Sequence, residues 1–107
     1  MKQKWKVAGL QMVSSPRPQE NLQTAATLVE TAVSAGAELL LLPEYFPVIG
    51  ASDAERLKMR EPFGDGPLQD WLAATAKRHG VWLVAGSIPL AASVPDKIRN
   101  SCLVFDP

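Results

Sequence analysis

The chain has 107 residues, of which 47% are hydrophobic and 21% are charged, and its 11 Lys and Arg residues balance its 11 Asp and Glu residues. A balanced charge excludes the strongly basic surface by which proteins bind nucleic acids or anionic membranes. The high apolar and low charged content excludes intrinsic disorder, so we expect one folded domain.

The chain contains one cysteine, Cys102, and one histidine, His79. A single cysteine excludes a disulfide framework and a cysteine-rich metal site, and no carboxylates cluster at the spacing of zinc ligands, so we predict no metal. No apolar run has the length of a secretory signal or of a transmembrane helix. We therefore expect a soluble, cytoplasmic protein with no contact to a membrane or to nucleic acid.

The first third of the chain predicts a strand, a helix and a second strand. Residues 6–13 are mostly apolar and precede a turn-rich segment, which indicates a buried strand. Between Gln19 and Ala35, apolar residues recur at the spacing of one helix face. The apolar run Glu38–Leu42 lies between Gly36 and Pro43 and is too short for a helix. These elements form a βαβ unit, whose two strands should be parallel and buried.

A long connection and a second helix follow. In the connection, Ser52 and Glu55 have the spacing of a capping box, which predicts a short helix at residues 53–60. Connections of this length in compact domains are often functional. The second helix should begin at Pro67, since proline is favoured in a first helical turn, and end at Gly80, since glycine is favoured just beyond a helix.

Two further strands are predicted at residues 81–87 and 98–105. The order β-α-β-α-β-β then describes an α/β layer with its helices on one face of the sheet. Strands this apolar require cover on both faces, which two helices do not supply. We therefore expect the chain to be part of a larger fold, or to bury one sheet face against a partner.

Glu44 is the residue that most suggests chemistry. It follows the leucine run and Pro43, at the carboxyl end of a predicted central strand. Ligands of open α/β sheets bind beyond these strand ends. A carboxylate half-buried in apolar surroundings there is suited to act as a general base near neutral pH. The local pattern leaves a second interpretation open, in which Glu44 is a solvated loop residue without a catalytic role.

Other candidates favour structural roles. Cys102 lies in an apolar run with no basic neighbour to activate it, so we expect a small buried side chain. His79 lies in the predicted last turn of a helix, where its partial positive charge is favourable. Gly86 and Ser87 end a predicted strand, where a close approach to a ligand or a bulge explains the glycine equally well. We expect the three tryptophans in the core or at an interface: Trp5, Trp71 and Trp82.

Five ordered segments of the chain resemble the carbon–nitrogen hydrolase (nitrilase) superfamily. The most characteristic, Gly36-Ala37-Glu38-Leu39-Leu40-Leu41-Leu42-Pro43-Glu44-Tyr45-Phe46, is similar to the Gly-Ala-x-hydrophobic-Pro-Glu segment of that family. The others resemble the first strand and the start of the first helix, the second helix, the third strand, and the strand that leads to the catalytic lysine: residues 7–12 with 21–22, 66–68, 80–87 and 99–107.

The resemblance implies an αββα sandwich and the hydrolysis of a non-peptide amide or nitrile by a Glu–Lys–Cys triad. In this chemistry the cysteine attacks the substrate carbon, the lysine stabilises the oxyanion and the glutamate is the general base. Glu44 matches the catalytic glutamate, and Tyr45 and Phe46 would lie beside the substrate pocket. No metal or organic cofactor is implied.

The lysine and the cysteine of the triad have no match in this sequence. Lys97 precedes the strand that leads to the family's lysine, and Cys102 lies inside that strand. We therefore predict that residues 1–107 are the N-terminal portion of a single carbon–nitrogen hydrolase domain, truncated before the other two triad residues. The chain alone should be inactive.

The loop after Phe46 and the run Lys97–Asn100 are similar to bacterial members of the deaminated-glutathione amidase and omega-amidase branches. This similarity implies a small amide that bears a carboxylate, and the family implies a homo-oligomer. The alternative is a non-catalytic, truncated module that assembles with itself or with a full-length partner. A flavodoxin-like ligand binder has only the βαβ pattern in its favour, because the chain lacks a glycine-rich phosphate loop after Val13.

Overall fold

The computed structural model describes residues 3–107, and within this range the chain forms two sheets and three helices. In chain order the elements are β1 (Val7–Gly9), α1 (Pro18–Ser34), β2 (Leu39–Leu41), α2 (Asp53–Met59), α3 (Pro67–His79), β3 (Trp82–Val84), β4 (Ile88–Ala91), β5 (Ile98–Ser101) and β6 (Val104–Phe105). None of the helices in residues 3–107 combines the length and the apolar character needed to cross a bilayer.

The main sheet has the strand order β1-β2-β3-β6. Strands β1, β2 and β3 are parallel, with Leu40 opposite Ala8 on one side and Leu83 on the other, while β6 is antiparallel to β3. The predicted βαβ unit is thus confirmed, and β2 lies in the interior of the sheet. Its carboxyl end leads directly to Pro43 and Glu44.

One face of the main sheet packs against α1 and α3. The buried face of α1, Ala25, Val29 and Ala32, joins Leu40 and Leu83 in one hydrophobic core. Leu72 and Ala76 of α3 belong to the same core: the helices at residues 18–34 and 67–79 therefore form one layer on one face of the sheet. This arrangement confirms the predicted α/β layer with its helices on one side.

The opposite face of the main sheet is exposed. Val7 is 59% exposed, Leu41 45%, Trp82 38% and Val104 59%. Alternate residues of a strand point to opposite faces, so the helices cover Leu40 and Leu83 but leave their neighbours open. Within residues 3–107 the expected burial of these strands therefore holds on the helix-covered face only. The predicted lack of cover on one face is confirmed.

The strands predicted at residues 81–87 and 98–105 differ from those in the structure. The first is shortened to β3, because the φ of +65° at Gly86 interrupts extended backbone, and β4 at Ile88–Ala91 was not predicted. Residues 98–105 contain β5, which pairs with β4, and β6, which pairs with β3 in the other sheet. Cys102 lies where the chain crosses between the sheets and is exposed, so the expectation of a buried side chain is wrong. Trp5 and Trp82 are also partly exposed.

The two helices of the second half begin in different ways. Short α2 has a local cap, because the Ser52 side chain accepts a hydrogen bond from the N–H of Glu55, as predicted. Helix α3 begins after Gly66, which has no capping side chain. The buried carboxylate of Glu61 accepts hydrogen bonds from the N–H groups of Leu68 and Gln69 at 2.7 and 3.1 Å instead. This cap has no signal in the local sequence pattern.

Candidate active site

Glu44 lies on an open cleft of about 440 Å³ at the carboxyl ends of β1 and β2. The cleft is lined by residues that end these strands, by the Glu44 turn and by the residue beyond β3: Gly9, Leu10, Gln11, Leu41, Leu42, Pro43, Glu44 and Gly86. Parallel strands converge at this edge, which is where α/β sheets bind ligands. The predicted placement of Glu44 beyond a central strand is confirmed.

The side chain of Glu44 is exposed, and the expectation of a half-buried carboxylate is wrong for residues 3–107. The cleft is open at the sheet edge, so solvent reaches the carboxylate. Within these residues the Glu44 carboxylate forms no hydrogen bond or ion pair. Its oxygens are therefore available to accept a proton or to contact a substrate.

Tyr45 has a φ of +56° and is the non-glycine residue of the described chain with a positive φ. A bulky residue in this conformation costs about 1–3 kcal/mol and persists where surrounding contacts hold it. The Tyr45 N–H donates a hydrogen bond of 2.8 Å to the side-chain oxygen of Ser87. The backbone next to Glu44 is thus held in a conformation that tyrosine would not adopt unaided.

Tyr45 does not line the Glu44 cleft. The Arg56 guanidinium carbon lies 5.7 Å from the ring centroid, within the range of a cation–π contact. Tyr45 lines a second cavity of about 380 Å³ between α2 and the start of β5. Lys97 also lines this second cavity rather than the Glu44 cleft.

Phe46 is completely buried and belongs to the hydrophobic core. Its carbonyl oxygen accepts a hydrogen bond of 2.7 Å from the Ser14 hydroxyl. The next carbonyl, that of Pro47, accepts a hydrogen bond of 2.8 Å from the side-chain amide of buried Asn21. The loop after Glu44 is therefore fixed to the β1–α1 connection and to the first turn of α1, with Phe46 as its apolar anchor.

Other candidate residues lie away from the cleft. His79 is the last residue of α3 and is half-buried there. Cys102 is exposed between β5 and β6 and does not line the Glu44 cleft. Among the residues that the structure describes, no three His, Cys, Asp or Glu side chains come close enough together to hold a metal ion.

Gly86 and Ser87 contact the Glu44 turn, and Gly86 also lines the cleft. A Cβ atom added to Gly86 would lie 2.1 Å from the carbonyl oxygen of Pro43, so only glycine fits this crossing of two backbone segments. The sequence signal was the Gly-Ser pair at the end of a strand. It indicated a close approach, but nothing in the local pattern identified Pro43 and Tyr45 as the groups approached.

Comparison with known proteins places this geometry in a family. The profile of the family described as carbon-nitrogen hydrolase matches residues 6–107, nearly the whole chain. The chain belongs to the carbon-nitrogen hydrolase family. The matched region includes the cleft, Glu44 and the β3–β4 connection.

Two curated relatives and one crystal structure illustrate the similarity. This carbon-nitrogen hydrolase chain is 35% identical to nitrilase homolog 2 of Dictyostelium discoideum over 103 residues, 95% of the chain and 30% of the relative. It is 42% identical to the deaminated glutathione amidase of Rattus norvegicus over 80 residues, 75% of the chain and 24% of the relative. It therefore spans less than a third of the length of these two relatives.

The similar crystal structure is that of Nit3 of Saccharomyces cerevisiae, a member of branch 10 of the nitrilase superfamily. It superposes with a TM-score of 0.74 at 29% identity, over 95% of this chain and 38% of the yeast chain. The fold of residues 3–107 is thus a nitrilase-superfamily fold. This finding confirms the predicted family and fold class.

Proposed function

We propose that this chain is the N-terminal part of a hydrolase that converts a small amide to an acid and ammonia, with Glu44 as its general base. The resemblance assigns two further groups to the reaction, a cysteine nucleophile and a lysine, and matches neither to a position in this chain. The proposal therefore concerns a longer protein, of which residues 1–107 form the first portion of one domain. The short span relative to the curated relatives supports this interpretation.

In the proposed reaction the Glu44 carboxylate takes the proton of the cysteine thiol, and the thiolate attacks the amide carbon. The lysine stabilises the oxyanion that forms. The carbon–nitrogen bond then breaks, the proton held by Glu44 passes to the leaving nitrogen, and ammonia departs from a thioester. Glu44 next takes a proton from water, whose oxygen attacks the thioester. The acid is released and the proton returns to the cysteine sulfur.

The observation that carries this proposal is the position of Glu44. Glu44 lines the cleft at the end of an interior parallel strand, and its carboxylate has no hydrogen-bond partner within residues 3–107. The backbone of its neighbour Tyr45 is held in an unfavourable conformation. Functional sites are where such backbone conformations concentrate. The exposure of Glu44 by itself would also fit a solvated loop residue, so the fixed backbone and the cleft are what favour the catalytic role.

The substrate we propose is a small amide that bears a carboxylate. Relatives of this chain are named deaminated glutathione amidases. Tyr45 and Phe46 remain our predicted substrate-binding residues. Within residues 3–107 Tyr45 lines the second cavity and Phe46 is buried in the core, so contact of either with the substrate is a prediction for the longer protein. Nitrile hydrolysis, a homo-oligomeric assembly and a cytoplasmic location also remain predictions.

The test is ammonia release from small amides by the full-length protein. Glu44→Gln keeps the size of the side chain and removes the base, so we expect the turnover number to fall by at least ~100-fold. Glu30→Gln is the matched control, because Glu30 is exposed on α1 and does not line the cleft, and should leave turnover unchanged. Wild-type turnover by Glu44→Gln would rule out the general-base role.

The exposed sheet face favours one second candidate, a non-catalytic module that assembles with itself or with a full-length partner. A contiguous apolar surface in water marks a site of association, and Val7, Leu41, Trp82 and Val104 form one on the main sheet. Sedimentation of the 107-residue chain separates the cases. Self-association that Trp82→Ser abolishes supports the module, whereas a stable monomer argues against it.

A further inference from the structure

The β3–β4 connection holds the Glu44 turn on both sides of the glutamate. Gly86 lies against Pro43, the residue before Glu44, so closely that a Cβ atom would lie 2.1 Å from the Pro43 carbonyl oxygen. Ser87 contacts Tyr45, the residue after Glu44, by accepting the 2.8 Å hydrogen bond from its N–H. These two adjacent residues therefore contact both neighbours of the proposed base.

The hydrogen bond to Ser87 joins groups that lie 42 positions apart in the chain. Ser87 is only 7% exposed, so little water is available to replace its hydroxyl as the acceptor. Tyr45 has its φ of +56° at the same peptide. Since this conformation is unfavourable for tyrosine, the Glu44–Tyr45 peptide should rotate toward ordinary backbone angles when its N–H loses the acceptor.

The remainder of the loop has independent anchors. The Phe46 carbonyl is held by Ser14 and the Pro47 carbonyl by Asn21, and the Phe46 ring is buried in the core. Loss of the Ser87 hydroxyl should therefore leave residues 46–47 in place. The change should be confined to the peptide that carries Glu44.

We propose that Ser87 is a positioning residue for Glu44, whose hydroxyl fixes the Glu44–Tyr45 peptide and thereby the direction of the carboxylate over the cleft. The proposal rests on the function proposed above for Glu44. The Glu44 carboxylate has no partner of its own among residues 3–107, so its direction depends on the backbone to which it is attached. Misplacement of a reacting group by about 1 Å costs roughly 100-fold in rate.

The experiment measures kcat and KM of the full-length protein with Ser87→Ala, with Glu44→Gln, and with both changes. We expect Ser87→Ala to lower kcat by roughly 10- to 100-fold while KM changes little, because the base is misdirected and substrate binding is retained. In the Glu44→Gln background the same change should have no further effect, because Ser87 acts through Glu44. Thr75→Val is the matched control: it removes a half-buried hydroxyl that bonds within α3, and kcat should be unchanged.

Each outcome has a distinct meaning. An unchanged kcat in Ser87→Ala, beside a large loss in Glu44→Gln, overturns the positioning role alone. An equal loss from Ser87→Ala in both backgrounds also overturns it, because it indicates a general structural effect. Wild-type turnover by Glu44→Gln overturns the proposed function and this inference with it.

Amide exchange provides a readout independent of activity. If the hydroxyl of Ser87 holds the peptide, Ser87→Ala should accelerate exchange of the Tyr45 N–H and leave the Phe46 N–H, which bonds to the Pro43 carbonyl, protected. Unchanged Tyr45 protection overturns the proposal. Ser87→Gly removes the same hydroxyl and replaces the alanine variant in both measurements if that variant does not fold.

Discussion

Glu44 and Glu61 are carboxylates of one residue type in opposite surroundings. Glu61 is 7% exposed, and its oxygens accept hydrogen bonds from two backbone N–H groups and from the side-chain amide of Gln69. Glu44 is exposed and has no hydrogen-bond partner within residues 3–107. The Glu61 side chain fixes the backbone at the start of α3. At Glu44 the neighbouring backbone is fixed by Ser87, and the side chain is available to contact a substrate.

This difference separates a structural carboxylate from a candidate catalytic one. A buried charge is tolerated only when its hydrogen-bonding capacity is satisfied, and a satisfied carboxylate is a poor proton acceptor for anything else. Glu61 therefore caps α3 and joins the preceding loop to the helix. At Glu44 the backbone is constrained instead. Gly86 packs against Pro43, and Ser87 accepts a hydrogen bond from Tyr45, so the two residues that flank Glu44 are held.

The largest effect on stability should follow from adding a side chain at Gly86, where the chain crosses the Glu44 turn. Gly86→Ala places a methyl group against backbone atoms of Leu42 and Pro43, which cannot move aside as a side chain can. We expect the free energy of unfolding in urea to fall by about 3–5 kcal/mol, from overpacking added to the strain of alanine at positive φ.

Gly80→Ala is the matched control for this change. Gly80 has a φ of +64°, against +65° for Gly86, and a Cβ atom there would meet nothing within 4 Å. The free energy of unfolding of Gly80→Ala should fall only by the strain of alanine at positive φ, about 1–2 kcal/mol. Equal losses in the two variants would contradict the close contact between Gly86 and Pro43.

A smaller effect should follow from removing the Glu61 cap. Glu61→Ala leaves the N–H groups of Leu68 and Gln69 without their acceptor at a buried helix end. We expect the free energy of unfolding to fall by about 2–3 kcal/mol, as measured by urea denaturation.

The same substitution at the other glutamate should have the smallest effect. Glu44→Ala removes no hydrogen bond within residues 3–107, so the free energy of unfolding should change by less than about 0.5 kcal/mol. A loss as large as that of Glu61→Ala would mean that Glu44 has a structural role and would weaken its assignment as the base.

Local sequence patterns were sufficient for much of the fold. The apolar stripe of α1, the capping spacing of Ser52 and Glu55, and the proline and glycine that bound α3 all depend on neighbours within a few positions. The position of Glu44 after a leucine run also predicted its place beyond an interior strand. These features are properties of single elements, so the sequence was enough to identify them.

Contacts between distant segments had to come from the tertiary structure. The Glu61 cap spans seven and eight positions, and the bond from Tyr45 to Ser87 spans 42. Strands 98–101 and 104–105 separated because each pairs with a different partner strand, a choice that no local pattern encodes. The sequence by itself determined the family, the helices and the candidate base. Only the tertiary structure decided that Glu44 is exposed and that Gly86 and Ser87 hold its backbone, because these facts depend on which segments meet in space.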